Sequence, residues 1–483
     1  MVIAFSVIAG LLLLIVRSAM VFSYDPEITG IDNNFIYPVL QQLQGNSIYP
    51  DPAQYPFAVN PYGPLLFYLS YGFCELFGIT GSDPIRVYFV TRGICLIADL
   101  TTLFVLYRLM KRFLNVPTAI AAFSTVAFFY LISYWSFTVM RADSLLLLSY
   151  SLIVFSVLVF LEKPRIMQLV LIALLCNVAI FSKQNGIYMP FMVTGIFILT
   201  KRSKAAWLFP VFFTIVFALL LWIFTMVYQD NFFNHLIYAL NNRIDVHWFY
   251  LFIFKRLADS FVIIPFAAGC WFAFYYLFNP KSIQIKTTAI AALCSIGFSL
   301  LIAFKWGSSI AYLNESMFGL TIILSFSLKQ VTSHSVIRKI APALLLCSSI
   351  IALHMLVQLY LYHLNNTQKD RQVYQEQKIL SEELLAEIGN RDLYIYADDV
   401  NGTFFKNCMR GRLVAPNKDA IDCCTLPDGN FDYSLLRKGF ETGKIRYLVF
   451  QEQWLPEQFH DISLRHYKKT KVRFGYAIYT FEP

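Results

Sequence analysis

Charge is scarce in this chain of 483 residues: Asp, Glu, Lys and Arg together make up 14%, against about 25% in ordinary soluble domains. Hydrophobic residues reach 57% and aromatics 17%. A soluble protein of this size cannot hide that much apolar surface. A cytosolic enzyme, a disordered regulator and a secreted disulfide scaffold are thereby excluded. The alternating pattern of an outer-membrane barrel is also missing, because the apolar runs are continuous over about 20 residues. No basic stripe follows a soluble helix, so nucleic acid is not a partner. No zinc spacing occurs. Six of the nine cysteines, Cys74, Cys95, Cys176, Cys270, Cys294 and Cys347, lie in apolar segments as packing residues. Cys408, Cys423 and Cys424 lie near the C-terminus, where a Cys408–Cys423 or Cys408–Cys424 disulfide is open in an oxidising compartment.

What the sequence does contain is a series of long apolar helices. Runs fall near 2–23, 85–107, 116–136, 144–161, 166–182, 186–200, 205–228, 260–278, 287–304, 314–328 and 340–360, about eleven spans. The first run is read as a span rather than a cleavable signal, since no charge precedes it and no small-residue cleavage site follows. The net charge is +9, and residues 361–483 carry 17 bases and 17 acids, so the excess lies in residues 1–360. Alternate loops hold it: Arg108/Lys111/Arg112, Lys163/Arg165, Lys201/Arg202/Lys204, Lys281/Lys286 and Lys329/Arg338/Lys339 supply 13 bases against one acid, Glu162. The positive-inside rule puts these loops in the cytoplasm. Loop 24–84, the turns near 137–143, 183–185 and 305–313, loop 229–259 and the tail then face the other side. The chain divides into a membrane domain, 1–360, and a tail domain, 361–483. In the tail a polar helical stretch Asn365–Gly389, β runs at Leu393–Ala397, Tyr447–Phe450 and Tyr476–Phe481, and a helix over Tyr433–Thr442 predict a small α/β domain. It contains no Gly-rich phosphate loop and no Gly-x-Ser-x-Gly.

The outer side gathers Asp32, Arg141, Asp143, Lys183, Arg243, Asp245, Lys305 and Glu315, with Arg86 and Arg92 near the start of the second span. Charges at a bilayer are costly and usually line a cavity or pair with one another. Interfacial anchoring explains any one of them, but not their grouping in mixed-sign clusters. In the first outer loop, apolar residues at 35, 36, 39, 40 and 43 predict a short interfacial helix. Residues 64–79 predict a second. Asp32 precedes the first helix and is a natural N-cap.

The order of these features resembles the GT-C superfamily of integral-membrane glycosyltransferases. The likeness is to bacterial members related to protein mannosyltransferases and to aminoarabinose or lipopolysaccharide-sugar transferases. It rests on one span, then a loop with Asp32, tyrosines and Asn60-Pro-Tyr-Gly-Pro-Leu65, then an interfacial helix. Arg141-Ala-Asp143, Ser182-Lys-Gln-Asn-Gly186 and the segment Lys305-Trp-Gly-Ser-Ser-Ile-Ala-Tyr-Leu-Asn-Glu315 are similar to further motifs of that group. Many relatives carry two adjacent acids in the first loop; here Asn33 follows Asp32, which speaks against a metal or paired-acid role.

The resemblance implies a GT-C-like membrane fold and a sugar donor on a polyprenyl phosphate, used at the non-cytoplasmic face of, for preference, a bacterial inner membrane. The acceptor is a glycan, a lipid or a protein, and membrane lipids surround the chain. Attack at the anomeric carbon needs a base for the acceptor hydroxyl, and Asp32 is the candidate. A lipid phosphate leaves as an anion and needs cations; Arg141, Lys183 and Lys305 are the candidates, expected to converge on one cavity facing Asp32. Tyr37, Asn60, Tyr62, Asp143, Gln184, Tyr312 and Glu315 are candidates for binding or orienting sugar and acceptor. A single displacement inverts the anomeric carbon. No cofactor is called for, although a divalent cation is compatible with the reading. Two other readings stand beside it. A transporter or flippase would place charges at mid-span and show related broken helices in its two halves, whereas mid-span charges are few here, Arg92 and Asp99 the clearest, and no repeat occurs. A polysaccharide polymerase or ligase would carry its large loop later in the chain.

Overall fold

The computed structural model describes residues 2–134, 138–237, 244–259, 262–331, 366–398, 404–416, 432–450 and 464–483. The chain forms two compact units. One comprises Met1–Met20, Cys95–Leu221 and Arg243–Tyr362; the other comprises Val21–Ile94, Trp222–Asn242 and His363–Pro483.

Ten of the eleven apolar runs coincide with helices, because uninterrupted apolar residues must bond their backbone internally. These are α1 (Val2–Val21), α4 (Pro84–Leu114), α5 (Thr118–Tyr134), α6 (Asp143–Glu162), α7 (Ile166–Ser182), α8 (Tyr188–Leu199), α9 (Ser203–Tyr228), α11 (Ile263–Phe278), α12 (Ile283–Ala303) and α13 (Asn314–Val331). The first outer loop adds α2 (Asn33–Leu43) and α3 (Pro64–Leu76), and α10 (Asn231–Leu236) follows α9. The run at 340–360 lies outside the described residues. Among the described residues, six helices are long and apolar enough to cross a membrane, or seven if the bent pair Val246–Asp259 and Ile263–Phe278 is one span. Thr118–Ser133, Ile166–Ser182 and Gln184–Leu199 are apolar but shorter.

Small residues set helix approach in the helical unit. A Cβ on Gly319 of α13 would lie 2.8 Å from the Ala292 Cβ of α12, the close packing that apolar surroundings reward. Arg17 of α1 and Asp99 of α4 form an ion pair at 2.5 Å, with both side chains at most 1% exposed. Arg17 also donates to the Thr138 carbonyl at 3.3 Å. One of the two mid-span charges noted in the sequence is thus neutralised within this unit.

The other unit holds a five-stranded sheet: β1 (Tyr394–Asp398), β2 (Leu413–Val414), β3 (Ile445–Phe450), β4 (Tyr467–Arg473) and β5 (Tyr476–Phe481), in the order β2-β1-β3-β5-β4. β1 pairs parallel with β2 and β3, while β5 pairs antiparallel with β3 and β4. Helix α14 covers 366–388 and α15 covers Ser434–Thr442. Leu380, Leu384 and Ile388 of α14 pack on one face of the sheet with Ile395, Leu413, Val449 and Ile478.

The opposite face is covered by α15 and by Phe57 and Val59 of the first outer loop, which share a core with Tyr396, Leu436, Phe440, Leu448 and Phe481. A compact division of the chain therefore groups segments 21–94 and 222–242 with the tail, where the sequence reading drew one boundary after residue 360.

Candidate active site

The first cluster is built around α2. Asp32 stands at its N-cap position, but with helical φ and ψ of −59° and −36° and no capping bond from its side chain. This corrects the N-cap expectation. Glu27 does the capping: its two carboxylate oxygens accept from the N–H of Asp32 at 2.8 Å and of Asn33 at 3.3 Å. Two of the orphan donors of a helix start are satisfied in this way. The Asp32 carboxylate turns instead to other partners. Oδ1 accepts from the Thr29 backbone at 3.0 Å and from the Thr29 hydroxyl. Oδ2 accepts from Arg92 Nη2 at 3.2 Å, and neither side chain has any exposure. Arg92 is anchored in turn by the Ser23 carbonyl at 2.7 Å and the Asp25 carbonyl at 2.5 Å.

Burial pushes the Asp32 carboxyl above its ordinary value, against the pull of Arg92 and Thr29. Glu27 is pushed up to about 8, first by burial and then by the Asp32 charge, with Lys406 pulling the other way. Glu27 and Arg92 were not assigned to this site from the sequence. The signal for Arg92 was present, since a charge in an apolar segment needs a partner. Glu27 carried none, lying in a loop of mixed composition.

Three further candidates lie in the first loop. Asn60 is fully buried; its amide donates to the Ile48 carbonyl at 2.5 Å, and its backbone N–H donates to His235 Nδ1 at 2.8 Å. His235 Nε2 lies 2.6 Å from the Pro50 carbonyl, so it carries the proton. Burial holds this imidazole down at about 4. Tyr62 stacks on Phe35 with centroids 4.3 Å apart. Tyr37 is buried, and among the described residues its hydroxyl has no hydrogen-bond partner.

The second cluster belongs to the helical unit. Asp143 opens α6, where an acid suits the helix dipole. Lys183 caps the C-terminus of α7 in an extended conformation. Asp143 Oδ2 accepts from Arg141 Nε at 3.1 Å, and Oδ1 accepts from Lys183 Nζ at 2.7 Å; all three side chains are at most 7% exposed. Lys183 Nζ also sits 4.8 Å above the Tyr312 ring. Glu315, buried at the start of α13, is within electrostatic reach of Asp143 and Lys183. The motif that carries Lys183 requires its glycine: a Cβ on Gly186 would lie 2.6 Å from the Ala179 carbonyl carbon. Gln184 is half-buried in the same 3₁₀ turn.

Asp143 thus bridges two of the three candidate cations, Arg141 and Lys183. Lys305 is half-buried between α12 and the 3₁₀ turn before α13, and its backbone bridges to Ile244. Among the described residues, no group of three or more His, Cys, Asp or Glu could hold a metal ion. Cys408 is buried, and Cys423 and Cys424 lie outside the described residues.

Residues 60–229 match the family described as dolichyl-phosphate-mannose-protein mannosyltransferase. No curated protein matches by sequence. Among solved structures the chain is similar to ArnT from Cupriavidus metallidurans bound to undecaprenyl phosphate, at 13% identity and a TM-score of 0.64, covering 99% of this chain and 97% of that one. It is also similar to the oligosaccharyltransferase AglB from Archaeoglobus fulgidus in complex with an inhibitory peptide and a dolichol-phosphate, at 12% identity and a TM-score of 0.57, covering 93% and 69%. At these identities the likeness carries the fold. The chain thus has a fold similar to those of ArnT and AglB over nearly its whole length, and its residues 60–229 match the mannosyltransferase family model.

Proposed function

We propose that the protein moves a sugar from a polyprenyl-phosphate donor to an acceptor at the non-cytoplasmic face of a bacterial inner membrane, with inversion. The observation that carries this is the buried Arg141–Asp143–Lys183 cluster at the ends of two apolar helices. An ammonium has three donors, and Lys183 gives one to Asp143. A phosphate at this cluster would exchange the carboxylate for stronger anionic contacts. The lipid phosphates named with ArnT and AglB are the ligand class this suggests. Tyr312, Gln184 and Glu315 border the cluster and suit a sugar's hydroxyls.

Asp32 is assigned the base. Its burial raises the basicity that proton abstraction needs. The 3.2 Å bond to Arg92 is longer than about 2.7–2.9 Å, the usual length of a charge-assisted bond, and can be shared with a hydroxyl. The transporter reading loses support from the pairing of Asp99 with Arg17, which leaves that charge committed to structure.

The test is transfer from a synthetic polyprenyl-phosphate sugar by purified protein, with products followed by mass spectrometry. Transfer with inversion is expected, and Asp32→Asn should reduce it on the order of 10²-fold or more. Lipid translocation without transfer, or full activity in a folded Asp32→Asn variant, would refute the reading or the base assignment respectively.

A further inference from the structure

We infer that a polar cleft between the C-terminal end of α2 and the β2–β1 side of the sheet binds an anionic saccharide. The cleft holds about 300 Å³, the small end of the range for ligand sites, about 300–1,000 Å³. Its walls are Gln41 and Asn46 from the end of α2, Tyr55 from the first outer loop, Tyr394 of β1, and Arg410 and Arg412 from the turn entering β2. None of these residues takes part in either cluster described above.

The chemistry of the walls selects the ligand. Among the described residues, neither arginine has a carboxylate within salt-bridge distance, while the Arg412 guanidinium lies 5.8 Å from the Tyr394 ring centroid. Nearby Lys444 is half-neutralised by the well-exposed Asp392 at 2.9 Å and sits 4.3 Å over the Tyr55 ring. The field in the cleft is therefore positive, and paired guanidinium forks recognise carboxylate or phosphate. A bare ion would need only the arginines. The tyrosines add more: Tyr55 and Tyr394 stack with centroids 4.4 Å apart and give the cleft an aromatic wall. Asn46 Nδ2 donates to Gln41 Oε1 at 3.0 Å, which orients both amides as hydroxyl partners.

The turn is shaped for the purpose as well. Arg410 and Gly411 adopt φ of 50° and 76° in succession, a conformation that side-chain-bearing residues avoid unless the surroundings enforce it. It brings two arginines to one wall. The Tyr37 hydroxyl, one helical turn before Gln41 and beside Tyr394, is buried without a hydrogen-bond partner among the described residues. It offers a further polar group close to the cleft. That the saccharide belongs to the acceptor rests on the transferase reading; that the cleft binds it does not.

The experiment titrates full-length detergent-solubilised protein with glucose 6-phosphate, glucuronate, glucose and inorganic phosphate, by calorimetry or ligand-observed NMR. Each titration is repeated with the double variant Arg410→Ala/Arg412→Ala and with Arg410→Lys/Arg412→Lys. The anionic sugars should bind at least about tenfold more tightly than glucose, the alanine variant should lose about tenfold or more, and the lysine variant should recover part of it. Unchanged melting temperatures establish that the variants fold, and a Lys183→Met control removes any contribution from the helical unit.

Equal binding of glucose, equal binding of inorganic phosphate, no binding at millimolar concentration, or indifference to the alanine pair would each overturn the assignment. Transfer is measured on the same samples. Saccharide binding without transfer sinks the transferase reading and leaves the cleft, and transfer without saccharide binding does the reverse.

Discussion

The Glu27 carboxyl, raised from 4.5 to about 8, titrates within the ordinary assay range. Between those values the folded chain holds a proton that the unfolded chain has lost. Stability therefore falls as pH rises through that window. His235 has the opposite sign. Held down from 6.5 to about 4, it stays neutral where the unfolded chain takes up a proton, so its contribution is lost as pH falls below 6.5. The two slopes oppose each other up to 6.5, and a net loss of thermal stability is expected between 6.5 and 8. Glu27→Gln should abolish that loss and expose the His235 rise, which melting curves across the range will show. In the other cluster, Lys183→Met leaves Asp143 with Arg141 alone. Breaking a buried pair costs about 3–5 kcal/mol, so a lower melting temperature is expected together with a raised donor KM and an unchanged acceptor KM. Adding Asp143→Asn should lower the melting temperature further, because buried Arg141 then loses its carboxylate as well. Of these residues, Asp32, Arg141, Asp143 and Lys183 stood out in the sequence because acids and bases alternate at span ends. Their pairing did not, because which charge meets which depends on helices far apart in sequence.

Elements were legible wherever one period dominated. Ten of the apolar runs, α2 and α3 in the first loop, α15, and the strands β1, β3 and β5 appear near the expected positions. β4 was missed because Lys468, Lys469, Lys471 and Arg473 hide its pattern. Those charges belong there, since β4 is an edge strand and its lysines blunt further pairing. β2 was missed because two residues carry no period. The turn at Gly186 shows how one element fixes a site without contributing chemistry to it. Gly186→Ala forces a Cβ against the backbone of α7, and overpacking of this kind costs about 1–3 kcal/mol. Since Lys183 opens that turn, the variant should raise the donor KM several-fold with little change for the acceptor. An unchanged donor KM in a stable variant would mean that Lys183 does not hold the donor.

At the scale of the whole chain, composition and loop charge identified a polytopic membrane protein with a mixed tail domain. They left unseen that the tail's sheet draws part of its core from residues 57 and 59, because nothing local marks a loop phenylalanine as the cover for a sheet made more than 300 residues later. Expressed alone, residues 361–483 should therefore lack cooperative melting and bind hydrophobic dyes. Supplying residues 24–84 in trans should restore a transition, and a cooperative fold of the isolated tail would contradict the shared core. The same feature sets a timetable. Ribosomes deliver Phe57 long before Phe481, so the first loop waits with these apolar side chains uncovered until the sheet is made. A chain that stalls before Tyr476 keeps those side chains uncovered, and it should bind hydrophobic dyes that the completed sheet excludes.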